Sequence, residues 1–162
     1  MTTYPSMKLA VILEREAVEN RWIAHRWQLL DVVPDLGGEP RTLLDTPQSL
    51  RRLFPGLEVT LFPEEAEGYY LNISSGEPSV FVSLRQDEGS DAPYPFQATL
   101  SYNEAARWMD GGESVERTPA WPELAAWMGE WVEANYRPEP KRRQRPKSFV
   151  GKEGVLREKG SQ

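Results

Sequence analysis

Six short stretches of this chain alternate apolar and polar residues with a period of two, and the gaps between most of them are too short to hold a helix. Leu9, Val11 and Leu13 open the series, followed by Ile23, His25, Trp27 and Leu29, then Leu57, Val59 and Leu61. Tyr69, Leu71 and Ile73, then Val80, Val82 and Leu84, then Phe96, Ala98 and Leu100 complete it. Period two is the repeat of a strand, whose successive side chains point to opposite faces. The links Pro63 to Gly68, Ser75-Gly76-Glu77-Pro78 and Gln86 to Pro95 carry turn chemistry. Parallel neighbours need crossovers of a dozen residues or more, so strands this close must pair antiparallel. The expectation is a mainly β (α+β) fold: a bent antiparallel sheet, or a small barrel of about six strands that removes its own edges.

Three segments interrupt the alternation. Asp45-Thr46-Pro47 reads as a helix start, a cap followed by Pro near the first turn, with Pro55-Gly56 closing a short helix. Asn103 to Met109 reads as a second, capped by Asn103 and stopped at Gly111-Gly112. The longest runs from about Pro122 to Tyr136. There Trp121, Leu124, Ala125, Met128, Trp131 and Val132 make one apolar face while Glu123, Glu130 and Glu133 face away. That face must cover the open mouth or the inner face of the sheet.

After Tyr136 periodicity ends. RPEPKRRQRPKSFVGKEGVLREKGSQ has three prolines and many charges, and it reads as an extended basic arm (137–162) on a single acidic domain (1–136). The arm holds nine basic and three acidic side chains, so with a whole-chain charge of -6 the body carries -12. A basic arm on an acidic globule suits an acidic partner, protein or nucleic acid, or folds back on its own body.

Composition excludes several classes. Cysteine is absent, which removes disulfides, iron–sulfur ligation and cysteine nucleophiles, and fits a reducing, cytoplasmic setting. No run approaches the roughly 20 apolar residues of a membrane span, and the N-terminal apolar stretch breaks at Glu14, Arg15 and Glu16, unlike a signal peptide. The chain has no Gly-rich phosphate loop and no nucleophile elbow.

His25, the single histidine, falls on the apolar face of its strand without a nucleophile or orienting partner in any motif, and reads as a buried or half-buried structural imidazole. The carboxylates of Glu64, Glu65 and Glu67 and of Asp87, Glu88 and Asp91 read as solvated turns, since neither run matches a calcium loop. No catalytic, cofactor-binding or metal residue is therefore assigned. The candidate contacts are with a protein partner: Trp127 at the edge of the last helix's apolar face, the basic run Lys141, Arg142, Arg143 and Arg145, and Phe149, the arm's apolar anchor. The arm has neither recognition helix nor aromatic platform, which argues against nucleic acid.

The opening MKLAVILER with NRWIAHRWQ, the centre GYYLNISSGEPSVFVSLR, the later LSYNEAARWMDGGESVE and the helix PELAAWMGEWVEANY resemble a bacterial family of uncharacterised proteins. The resemblance runs from about Met7 to about Arg145, departing at Ser101-Tyr102-Asn103, where the family pattern has Ser-Pro-Tyr, and in a longer tail. Genes of that family commonly lie beside those of molybdenum-dependent formate dehydrogenases. The resemblance thus implies a non-catalytic accessory or adaptor protein in the assembly or maturation of such an enzyme. The partner would be an oxidoreductase subunit or another maturation factor. The alternatives are a small structural subunit of the oxidoreductase and a module binding a small ligand or nucleic acid.

Overall fold

The computed structural model describes residues 3–18 and 25–138. Seven strands and three α-helices follow in the order β1 (Ser6–Ala17), β2 (His25–Pro34), β3 (Arg41–Asp45), β4 (Ser49–Thr60), α1 (Ala66–Ser74), β5 (Ser79–Arg85), β6 (Tyr94–Thr99), α2 (Tyr102–Asp110), β7 (Ser114–Pro119) and α3 (Pro122–Asn135). The strands form two antiparallel sheets, ordered β2-β1-β4-β3 and β6-β5-β7. The expected antiparallel, mainly β architecture is what the chain adopts. Closure into a barrel is not: among the described residues no ladder joins one sheet to the other. Instead β4 approaches β6 along one side and β2 approaches β7 along the other. Across the second gap the Leu29 N–H, on the outer edge of β2, donates to a Glu116 carboxylate oxygen of β7 at 2.7 Å.

The space between the sheets is apolar at one end. Leu9, Val11 and Leu13 of β1 share a core with Val80 and Val82 of β5, all five completely buried. Burying each such side chain contributes about 1.5–3 kcal/mol before entropy is counted. The helices finish that end. Tyr69 of α1 is fully buried and its hydroxyl donates to the Thr60 carbonyl at 3.0 Å, opposite the start of β1. Leu124, Met128 and Val132 of α3, one turn apart along a single stripe, enter the same core, as the helical spacing predicts. Trp131 meets Tyr69 edge-on, ring centroids 5.5 Å apart. Asn72, 1% exposed, ties these layers together: its amide donates to the carbonyls of Ser79 and Leu100, both at 2.8 Å, and accepts the Ser79 N–H at 2.9 Å. Among the described residues no helix is long and apolar enough to cross a membrane.

The structure corrects the sequence reading in several places. Asp45-Thr46-Pro47 starts no helix: Thr46 to Ser49 is a tight turn between β3 and β4, held by a Thr46 N–H to Ser49 carbonyl bond of 2.8 Å. Pro fixes the same φ at the second position of a turn as at the first turn of a helix, so the signature is shared. Pro55-Gly56 sits inside β4, where two residues oppose one on β1, and Gly56 supplies the positive φ of 100° that this bulge needs. Tyr69, Leu71 and Ile73 form helix rather than strand: Tyr69 and Asn72, three apart, are buried while Leu71 is exposed. Pro63, Glu64 and Glu65, read as a turn, form a short 3-10 start to that helix, with Pro and acidic residues where a helix N-terminus favours them. Strand β7, with Val115 as its one aliphatic side chain, and strand β3 give no clear alternation in sequence.

Candidate functional site

At the other end of the sandwich β1 leaves the core, and its inward positions change from Leu9, Val11 and Leu13 to Arg15. The register places Trp27 and Leu50 on either side of Arg15, Arg52 opposite Leu13, and His25 opposite Ala17. The sheets part here into a cleft of about 650 Å³ lined by His25, Arg26 and Trp27 on β2, Arg85 on β5, and Ser114 and Glu116 on β7. Through His25 and Trp27 it shares a wall with a recess of about 190 Å³ bounded by Arg15, Leu50, Arg52 and, from the β5–β6 loop, Asp91.

The electrostatics of this mouth differ from those of the rest of the sheet. On the outer face Arg51 donates to Glu14 at 2.8 Å and Arg26 lies 3.9 Å from Glu16. Glu14, only 7% exposed, also accepts from Ser49 at 2.9 Å and Gln28 at 3.2 Å. The Arg51 hydrogen bond is the largest influence holding the Glu14 carboxyl below the usual glutamate range, and it outweighs the opposing effect of burial. Arg85 is similarly engaged, donating to Glu113 at 2.6 Å and lying 3.4 Å from the Phe96 ring centroid. At the mouth, Arg15, His25 and Arg52 have no carboxylate within 4.0 Å among the described residues. Arg15 instead lies over the Trp27 ring, 5.9 Å from its centroid.

His25 keeps its expected strand but not its expected environment: it is exposed at the rim, because β2 runs out beyond the core there. The Glu64–Glu67 turn is only partly solvated. Glu65 accepts from Ser101 at 2.6 Å and pairs with Arg107, and so links α1 to α2. The cap of α2 is Ser101, not Asn103, its hydroxyl accepting the Glu104 N–H at 3.0 Å. Gly68 is required at that junction, since a Cβ there would stand 2.0 Å from the Ser101 hydroxyl oxygen. Asp87, Glu88 and Asp91 are exposed, as expected. Phe96, expected inward, is 43% exposed beneath Arg85. Trp127 is half-buried on α3 against the core and outside the mouth lining. Lys141, Arg142, Arg143, Arg145 and Phe149, and the Trp22–Ala24 part of the second alternating stretch, lie outside the described residues.

Sequence reasoning passed over Arg15, Arg52 and Glu116. A signal for Arg15 was present, as the first charge at an inward position of the best alternating strand. Arg52 was hidden by the mistaken helix, and Glu116 by a strand with too little apolar pattern. No group of three or more His, Asp or Glu among the described residues is arranged to hold a metal ion.

A family model described as a protein of unknown function, DUF3305, matches residues 8–145. The chain belongs to this family. The DUF3305 region therefore takes in both sheets, all three helices and the mouth. Neither the curated proteins nor the solved structures contain a match to it.

Proposed function

We propose that this DUF3305 protein is a non-catalytic, cytoplasmic accessory protein that binds a protein client, and that the client is a molybdenum-dependent formate dehydrogenase during its assembly or maturation. The observation that supports the binding reading is the mouth itself, an open cleft whose adjoining recess holds Arg15 and Arg52, without carboxylate partners among the described residues, beside the half-buried Trp27. Arginine and tryptophan are the residues that most often carry protein recognition. The choice of client rests on the resemblance of the sequence motifs to a family encoded beside formate dehydrogenase genes. The basic arm from Arg137 onward adds an attachment through long-range attraction.

Deleting the gene is expected to lower formate dehydrogenase activity while unrelated molybdoenzymes keep theirs. Full formate oxidation in the deletion strain under conditions that require the enzyme overturns the reading. A copy truncated after Tyr136 is expected to accumulate and melt normally yet fail to restore activity. Capture of the tagged protein with immature apo-subunit supports a maturation role; stoichiometric recovery with the active enzyme makes it a subunit.

A further inference from the structure

Two arginines and the histidine of the mouth are placed in a regular way. Arg52 stands opposite Leu13 on β1, Arg15 stands two residues further along β1, and His25 stands opposite Ala17, two further again. All three line the same recess. Each step therefore moves one strand across and two residues along, so the three lie on one diagonal of the sheet. Diagonal neighbours in an antiparallel sheet are about 7–8 Å apart. Alternate side chains of an extended polypeptide are spaced by roughly 6.6–6.8 Å on the same face. The two repeats match.

We propose that the mouth binds an extended acidic segment of a protein partner, with carboxylates at three alternate positions meeting Arg52, Arg15 and His25 in turn. Leu50 and Trp27 flank Arg15 in the register and give the segment an apolar floor on either side of the central contact. Arg15 and Arg52 have no carboxylate partner among the described residues, so binding breaks no internal ion pair. The one acid on the recess wall is Asp91, exposed on the β5–β6 loop, and its charge opposes the ligand. A compact phosphate is a poorer match: the two arginines and the histidine sit on three separate strands, and among the described residues no helix lines the recess. A nucleic acid carries its charge without interruption past the cleft, where a body of -12 repels it. A peptide can confine its carboxylates to the contact.

This inference rests on the binding reading above and is tested separately from the identity of the client. The full-length protein is titrated against a fluorescein-labelled peptide with glutamates at three alternate positions, and against one of equal composition with its three glutamates adjacent. The alternating peptide is expected to bind about tenfold more tightly, and the double variant Arg15→Gln/Arg52→Gln to lose about tenfold with an unchanged melting curve, each roughly the worth of one or two charge-assisted hydrogen bonds. Lys8→Gln, at the far end of β1, is expected to stay within about twofold and Asp91→Asn to bind more tightly, as the signs of exposed charges require. Equal affinity for the two peptides, no binding of either, competition by millimolar phosphate alone, or preference for a single-stranded oligonucleotide overturns the proposal. A peptide that binds as expected in a protein whose deletion leaves formate oxidation intact removes the client and keeps the cleft. A deletion phenotype fully rescued by the double variant, with no peptide binding, removes the cleft and keeps the client.

Discussion

Strand β1 passes through two environments on one face. Its first inward residues, Leu9, Val11 and Leu13, are completely buried, while Arg15, the next inward position, is half-exposed and lies over Trp27. The closed end of the sandwich is held by volume: α1 and α3 bring Tyr69, Leu124 and Met128 into the core that residues of both sheets share. The open end has charge where the closed end has methyl groups, and among the described residues that charge is not neutralised. One face of one strand thus divides into a part that holds the fold and a part with no evident role in holding it. A protein tuned only for stability has no reason to leave arginines unpaired when it pairs them, as Arg51 with Glu14, on the opposite face of the same sheet.

That contrast can be broken by measurement. The largest effect is expected at the closed end, where Trp131→Ala removes the ring that meets Tyr69 edge-on. It is expected to cost about 3 kcal/mol, the lower end of the range for emptying a large aromatic, because Trp131 is half-buried. Urea unfolding with an unchanged m-value checks it. A loss below about 0.5 kcal/mol, the scale of ordinary surface changes, makes the ring peripheral. Next is the outer face: Glu14→Gln is expected to cost about 1–3 kcal/mol at neutral pH, since it weakens the bond to Arg51 in a site that water scarcely reaches. Its pH signature follows from the direction of the shift. The folded carboxyl lies below its unfolded value, so its contribution is full above the ordinary glutamate range of about 4.3 and is lost as pH falls through the folded value. The wild type and Glu14→Gln are therefore expected to converge in stability under acid; a gap that stays constant from neutral pH to below that range removes Glu14 as the cause.

The mouth is expected to respond least. Arg15→Gln, Arg52→Gln and His25→Gln should each change stability by less than about 0.5 kcal/mol, as substitutions outside the core and outside ion pairs do. Stability should rise, if anything, where the like charges of Arg15 and Arg52 are relieved. A destabilisation as large as that of Glu14→Gln means these side chains have structural partners, and the comparison between the two ends fails.

The sequence was most readable where one rule applied at a time. Strands β1 and β5 and helix α3 show clean repeats of two or of 3.6, and they appear where those repeats place them. Misreadings occurred where two structures share a signal. Thr46-Pro47 serves a turn as well as a helix start, and Tyr69, Leu71 and Ile73 alternate by coincidence inside a helix whose buried residues are Tyr69 and Asn72. Asn72 could not have been picked out, because its burial is balanced by carbonyls of Ser79 and Leu100 that only the folded chain brings together. The mouth was legible in part. Arg15 breaks a hydrophobic alternation and is visible for that reason, whereas its diagonal with Arg52 and His25 depends on register, which two bulges in the neighbouring strands set.

The carboxylate of Glu116 has a consequence beyond the fold it bridges. By accepting the Leu29 N–H it occupies a donor on the outer edge of β2, a place where the strand of a second molecule would otherwise find a ready bond. On the ribosome, before β7 has been made, that donor stands open. A Glu116→Ala protein is therefore expected to keep nearly all its melting temperature while its tendency to self-associate through the edge of β2 rises with concentration.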